Sequence, residues 1–140
     1  NKRVTVVTNM LDIINILSST ENNVTVIATG GLLNKSLNGF AGATAISFIE
    51  KYKFDISFIG SCGIDVFDKS ITTFEIEDGL TKTAIIKSSK KAFLVMQQTK
   101  FNTDGNFKFS NIESINGIIT DSLPSIDIVD ILHENNIIIL

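Results

Sequence analysis

The strongest constraint on the fold is a series of short runs that are apolar at nearly every position. We predict six β-strands from these runs: Val4–Thr8, Val24–Ala28, Asp55–Gly60, Ala92–Gln97, Gly117–Thr120 and Ile137–Leu140. A strand with one face in water alternates apolar and polar residues, whereas a strand covered on both faces is apolar throughout. The runs therefore predict a buried, mostly parallel sheet with helices on both faces.

Segments with helical periodicity separate these strands. The predicted helices are Leu11–Ser18, Gly42–Tyr52, Glu75–Ser88 and Ser125–His133. In the first helix, Leu11, Ile14 and Leu17 recur on one face, and Asn9 before them is a suitable N-cap. Pro124 stands just before the last helix. Repeated strand–helix–strand units predict a three-layer α/β fold.

One domain is expected from a chain of 140 residues. Hydrophobic residues make up 44% of the sequence and charged residues 19%, which is enough for one core without a metal or a disulfide. Cys62 is the single cysteine, so no internal disulfide is possible and a reducing, cytoplasmic compartment is expected. The sequence shows no signal-peptide pattern or long apolar run, and its start at Asn1 suggests a fragment of a longer protein.

The net charge and the distribution of basic residues indicate which class of partner this chain can bind. The net charge is −3, and the 12 lysine and arginine residues are scattered along the chain. Because a nucleic-acid groove needs clustered basic residues, this piece is not expected to bind DNA itself. A small anionic ligand remains compatible, since one or two lysines and a few backbone amides can hold a phosphate.

Glycine and polar residues follow three of the predicted strands. These segments are Thr29-Gly30-Gly31, Ser61-Cys62-Gly63 and Gln98-Thr99-Lys100. The carboxyl ends of parallel strands meet at one edge of a sheet, where ligands bind. Backbone amides at glycines, hydroxyls and an ammonium group are donors suited to phosphate oxygens. We therefore predict an anion site at this edge, with the alternative that the glycines only permit tight turns.

The longest polar interval, Asn102–Asn111, is predicted as a surface loop with a turn at Asp104-Gly105. Such a loop either covers a site or is an ordinary connection. The sequence leaves both interpretations open.

The third predicted helix carries a start signal and a charged pair. Thr72 followed by Glu75 matches a capping box. Lys82 follows Asp78 by four residues, which is the spacing of an exposed ion pair on a helix. The alternative is that Lys82 turns into the ligand cleft.

Residues with catalytic potential are few. His133 is the only histidine and falls near a helix end, and one histidine with one cysteine cannot form a metal cluster. Cys62 ends a strand, but nothing beside it in the sequence would activate its thiol. We predict no catalytic residue, no metal and no cofactor.

The order of the motifs resembles the C-terminal effector-sensing domain of DeoR-type bacterial transcription repressors. The motifs that carry the resemblance are VTVVTNML, IATGGLL, AGATA, FDISFIGSCGID, SITTFEIEDGLTK, VMQQTKF, GIITD and NNIIIL. The resemblance implies a fold similar to the ribose-5-phosphate isomerase and glucosamine-6-phosphate deaminase group. It also implies a homo-oligomer that senses a phosphorylated sugar without turnover and binds DNA only through an N-terminal helix-turn-helix. Tagatose 6-phosphate, from the lactose phosphotransferase-system branch, and fructose 1-phosphate are candidate effectors.

The resemblance also implies which residues contact the effector. Gly60 and Ile64 match the family's glycine-containing loop, Glu77 and Asp78 begin an acidic pattern that ends at Lys82, and Phe101 ends a hydroxyl-Lys-Phe segment. The ligand-binding residues implied in this way are Gly30, Gly31, Lys35, Gly63, Thr72, Thr73, Lys82, Thr99 and Lys100.

The chain also departs from the family pattern. Gln97 and Cys62 stand where members often carry acidic residues, and Asp78 replaces the commoner Glu. The family's Asp-x-Gly-Thr-Thr phosphate loop and its helix would precede Asn1, so the chain is expected to be one domain, 1–140, without them. Two alternatives remain: a sugar-phosphate isomerase or deaminase that needs a carboxylate base, and an oligomerisation module without a ligand.

Overall fold

Strands and helices alternate along the chain in a computed structural model that describes residues 3–19, 21 and 23–140. The strands among those residues are β1 (Val4–Thr8), β2 (Val24–Ala28), β3 (Leu32–Asn34), β4 (Gly39–Ala41), β5 (Ser57–Ile59), β6 (Gly63–Asp65), β7 (Ser70–Thr73), β8 (Ala92–Val95), β9 (Phe107–Asn111), β10 (Gly117–Ile119) and β11 (Ile138–Ile139). The α-helices are α1 (Leu11–Ser19), α2 (Ala43–Ile49), α3 (Ile76–Lys87) and α4 (Ile126–Glu134). Two short 3-10 helices cover Gln98–Asn102 and Ile112–Ser114.

The main sheet is parallel and has the strand order β11, β10, β8, β5. Leu94 and Ile118 on its inner strands are fully buried, as is Leu132 of α4. These residues belong to one hydrophobic core that also includes Ile71 and Phe109 from the antiparallel strands. The predicted α/β class with a mostly parallel sheet is therefore confirmed. The likeness to the isomerase and deaminase group stays a prediction.

The first two strands form a separate parallel pair. β1 pairs with β2 over five residues, from Val4↔Val24 to Thr8↔Ala28. No side chain of β1, β2 or α1 is buried, and Val4 is 49% exposed. This unit is thus less deeply packed than the four-stranded sheet.

Two antiparallel sheets were not predicted from the sequence. β3 and β4 form a hairpin, and β6, β7 and β9 form a three-stranded sheet. The prediction of a single polar loop over Asn102–Asn111 is wrong in its second half, because β9 covers Phe107–Asn111. Phe109 is buried in the core, and Thr83 of α3 donates a hydrogen bond to its carbonyl oxygen.

No helix among the described residues is long and apolar enough to cross a membrane.

Close backbone packing explains one of the strand-end glycines. A Cβ added at Gly63 would lie 1.8 Å from the Thr103 carbonyl oxygen and 2.9 Å from the Asp104 Cα. No real Cβ tolerates such a distance, and backbone atoms cannot move aside as a side chain can. Gly63 therefore lets the segment after the first 3-10 helix lie directly on β6.

We predict that Gly63→Ala destabilises the chain by about 3 kcal/mol, because the added methyl group forces two backbone segments apart. Gly60→Ala is the matched control: nothing lies within 4 Å of a Cβ at Gly60, so its effect should stay within about 0.5 kcal/mol. Urea unfolding of both variants measures the difference. Equal stabilities would contradict the close-packing explanation.

Candidate functional site

A partly buried ion pair lies at the centre of the candidate site. The Lys82 ammonium donates to Asp78 Oδ2 over 2.6 Å, and the two side chains are 18% and 11% exposed. The spacing correctly predicts the pair but not its location, since an i,i+4 pair on a water-exposed helix face was expected. The ammonium also lies 5.5 Å from the centre of the Phe109 ring, within cation–π range. Lys82 is therefore already paired within the protein.

Asp78 also joins α3 to the end of β7. The Thr73 hydroxyl donates to Asp78 Oδ2 over 2.7 Å, and Thr73 is 2% exposed. Cys62 Sγ lies 3.6 Å from the same hydroxyl. One carboxylate thus connects a helix and a strand, and the strand in turn contacts the segment that follows β5.

The hydroxyl of Thr72 is fully engaged. It accepts a hydrogen bond from the Gly105 amide over 2.7 Å and donates to the Gly63 carbonyl oxygen over 3.3 Å. The predicted capping box of Thr72 and Glu75 is wrong, because Thr72 lies within β7 and Glu75, the N-cap residue of α3, makes no side-chain cap hydrogen bond. Thr72 instead holds the loop after the first 3-10 helix against β6 and β7.

The segment with Thr99 and Lys100 begins directly after β8. Its amino end is held by Asp121, whose Oδ1 accepts from the Gln98 amide over 2.7 Å. This backbone hydrogen bond holds the pKa of the Asp121 carboxyl below its usual value. At the other end, the Thr103 hydroxyl donates to the Cys62 carbonyl oxygen over 2.8 Å. The segment is therefore fixed to the strand ends of β10 and β5.

Lys35 lies in the turn of the β3–β4 hairpin, and its side chain is exposed. The residues on either side of it are tied to the start of α3: Asn34 and Ser36 each donate to the Glu75 carboxylate over 2.7 Å. The Ser36 and then the Asn34 hydrogen bonds hold the pKa of Glu75 below its usual value.

Gly30 and Gly31 lie after β2 with positive φ angles of 65° and 110°, a conformation that favours glycine. A Cβ at Gly31 would lie 3.3 Å from the Thr44 Cβ, so this turn contacts α2. A groove of about 420 Å³ adjoins it. Its lining residues are Thr29, Ala43, Thr44, Ser47, Phe48 and Lys51. Thr29 is among the polar residues predicted at strand ends, whereas Thr44, Ser47 and Lys51 were not predicted, because they lie on α2 or just after it and not at a strand end.

In the structure, the predicted site residues lie in three separate groups. Gly63, Thr72, Thr73 and Lys82 share one hydrogen-bonded group, and the Thr99–Lys100 segment is linked to that group through Thr103. Lys35 is tied to the start of α3, whereas Gly30 and Gly31 lie against α2. Within the described ranges, no three His, Cys, Asp or Glu side chains could together hold a metal ion.

Comparison with known proteins matches this chain to one protein family and to several curated relatives. Residues 1–122 match the DeoR C-terminal sensor domain. The chain is 30% identical over 132 residues to the glycerol-3-phosphate regulon repressor of Escherichia coli (strain K12), covering 94% of this chain and 52% of the relative. It is 28% identical over 136 residues to the HTH-type transcriptional repressor GlcR of Bacillus subtilis (strain 168), covering 97% and 52%. The chain thus spans about half the length of these relatives.

We predict that Lys82→Met destabilises the chain by about 2–4 kcal/mol, because it leaves the Asp78 carboxylate mostly buried and without its cation. Methionine keeps an unbranched apolar stem but removes the ammonium, so the measured loss combines the ion pair with the cation–π contact to Phe109. Lys90→Met is the control, since its pair with Asp55 is 70% and 88% exposed and should contribute little to stability. Chemical denaturation measures both losses. A Lys82→Met variant as stable as Lys90→Met would show that the ion pair is not structural.

Proposed function

The chain belongs to the family of DeoR C-terminal sensor domains, and we propose that it binds a phosphorylated sugar or polyol that controls DNA binding by the rest of the protein. The name of the E. coli relative, the glycerol-3-phosphate regulon repressor, supports a small phosphorylated effector. Glycerol 3-phosphate therefore joins tagatose 6-phosphate and fructose 1-phosphate as candidates. The lactose-repressor branch has no specific support.

One observation carries the proposal: donors from segments far apart in sequence are fixed beside one another after the strands β5 and β8. Thr103 links the Thr99–Lys100 segment to Cys62, and Gly63 follows in β6. Lys100 is half-buried and makes no side-chain ion pair among the described residues. We propose that Lys100 supplies the charge for the phosphate, while Lys82, already paired with Asp78, orients the site.

The same geometry supports sensing rather than turnover. An isomerase or deaminase needs a carboxylate base that is free to take a proton. Asp78 is bound by Lys82 and Thr73, and Asp65 Oδ1 accepts from the amides of Phe67 and Asp68. With both carboxylates engaged, we propose that the protein is a regulator and not an enzyme, as the names of its relatives also suggest.

We further propose that chain outside this sequence completes the domain. In the described part of the chain, β1 pairs only with β2 and β5 only with β8, so each sheet has an edge strand without a second partner. Phe58 of β5 is 59% exposed, and Ile56 before it is 47% exposed. Unpaired edges with apolar side chains tend to acquire another strand. An upstream unit with a phosphate loop would pair with one of these edge strands. A helix-turn-helix before that unit would bind DNA in the cytoplasm.

A homo-oligomer is also proposed. Large apolar side chains are exposed near the start of α3, including Phe74 at 62%, Ile76 at 58% and Leu80 at 44%. Exposed apolar clusters of this kind are typical of association surfaces.

We predict that the full-length protein is stabilised by one of the phosphorylated candidates and not by its dephosphorylated form. At a ligand concentration 100 times the Kd, the expected rise in Tm is about 5–10 °C. Phosphorus NMR of the same samples should show no product. If none of the phosphorylated compounds raises the Tm, the proposal is refuted in favour of an oligomerisation module. Product formation would favour the isomerase or deaminase alternative.

We predict that Lys100→Ala weakens effector binding by about tenfold or more, because a charged hydrogen bond to phosphate is lost. Induction should be blunted while operator binding is kept. Lys91→Ala is the control, since Lys91 is exposed and precedes β8 whereas Lys100 follows it. Effector titrations of the full-length variants measure the difference. Equal affinity of Lys100→Ala and wild type would remove Lys100 from the site.

A further inference from the structure

A three-residue hydrogen-bonded cluster ties the β3–β4 hairpin to the start of α3. Glu75 Oε2 accepts from Asn34 Nδ2, and Glu75 Oε1 accepts from Ser36 Oγ, each over 2.7 Å. Ser36 Oγ also lies 2.7 Å from Asn34 Oδ1. The three side chains therefore contact one another in pairs and form a closed cluster across 41 residues of sequence.

The position of Glu75 makes this use of its carboxylate notable. Glu75 is the N-cap residue of α3, where a carboxylate normally accepts from the first amides of the helix. Its side chain makes no such bond and is directed to the hairpin instead. The cluster is therefore a contact between two elements and not a helix cap.

The hairpin turn is held on its other side as well. Asn38 donates from Nδ2 to Asp12 Oδ1 over 2.8 Å, and its carbonyl oxygen accepts from the Leu11 amide over 3.0 Å. Within the turn, Asn34 Oδ1 accepts from the amides of Ser36 and Leu37. The turn thus has a fixed shape and is attached to both α1 and α3.

We propose that Glu75 is a positioning residue that fixes the hairpin turn, and with it Lys35, relative to the Thr72–Thr73 end of β7. Lys35 lies between the two residues that Glu75 binds, so the cluster restrains its backbone on both sides. This inference rests on the proposed function, because Lys35 matters only if an anionic effector binds there. The pKa of Glu75, held below its usual value by the same two partners, agrees with a carboxylate that is charged in the cluster.

The number of protons that the cluster can donate suggests two variants of Glu75 with different expected effects. Ser36 has one hydroxyl proton for two acceptors, Asn34 Oδ1 and Glu75 Oε1. In Glu75→Gln, the new amide group can donate to Ser36 Oγ while the Ser36 proton goes to Asn34 and the glutamine oxygen still accepts from Asn34. Glutamine therefore keeps every contact in the cluster, and Glu75→Ala removes two of them.

The test compares Glu75→Ala, Glu75→Gln and the control Glu50→Ala, an exposed glutamate at the end of α2, in the full-length protein. Hydrogen exchange of the amides in residues 32–41 reports on the hairpin. We expect exchange about tenfold faster in Glu75→Ala, as for the loss of one to two hydrogen bonds, and within about twofold of wild type in the other two. Binding of glycerol 3-phosphate, fructose 1-phosphate and tagatose 6-phosphate is measured on the same samples.

For the phosphorylated compound that binds, we expect affinity to fall about three- to tenfold in Glu75→Ala and to be restored in Glu75→Gln. Unchanged exchange in Glu75→Ala would overturn the proposal, as would faster exchange with unchanged affinity. A circular-dichroism melt separates local loosening from global unfolding. If wild type binds none of the three compounds although exchange still depends on Glu75, the proposed function fails and Glu75 is only a structural residue.

Discussion

The candidate site depends on one mostly buried carboxylate. Asp78 lies in the first turn of α3 and binds both the Thr73 hydroxyl at the end of β7 and the Lys82 ammonium one turn along the helix. A carboxylate in such a position needs its partners, since removal of either leaves a desolvated charge or hydroxyl. Because Thr73 also contacts Cys62 after β5, the orientation of α3 and the strand end beside it are fixed together.

The parallel part of the fold could be predicted because its signal is local and simple. Val24–Ala28 is predicted with its observed bounds, and the run that begins at Ala92 forms a strand of the main sheet although it ends two residues early. The antiparallel strands could not be predicted in this way. β7 reads SITT and carries three hydroxyl residues, yet all four positions are buried. Its backbone pairs with β6 and β9, the Thr72 hydroxyl binds Gly63 and Gly105, and the Thr73 hydroxyl binds Asp78. Such pairing depends on residues distant in sequence.

Roles at the site were harder to predict than locations. A glycine after a strand is compatible with a ligand and with close packing, and only the distance from Gly63 to the Thr103 backbone distinguishes these explanations. The spacing of Asp78 and Lys82 predicts an ion pair but says nothing about burial, which follows from how α3 packs on β9. The Thr72–Glu75 capping box failed for a related reason: tertiary hydrogen bonds to Gly105 and to the hairpin replaced the local ones.

These contacts change where the positive charge for a phosphorylated effector would come from. Lys82 donates to a carboxylate at 2.6 Å, so the pair as a whole carries no net charge toward a ligand. In a chain with a net charge of −3, the cations proposed to contact the effector are then Lys100, on the segment after β8, and Lys35, whose turn is tied to Glu75. Lys100 lies in the short 3-10 helix that follows β8, and Lys35 lies in a hairpin turn, so neither is part of an α-helix or a β-strand. Hydrogen bonds to Asp121 and Glu75 restrain the Lys100 segment and the Lys35 turn respectively. The affinity for such an effector would then depend on those two carboxylates, which hold the segments, as well as on the lysines proposed to contact the phosphate.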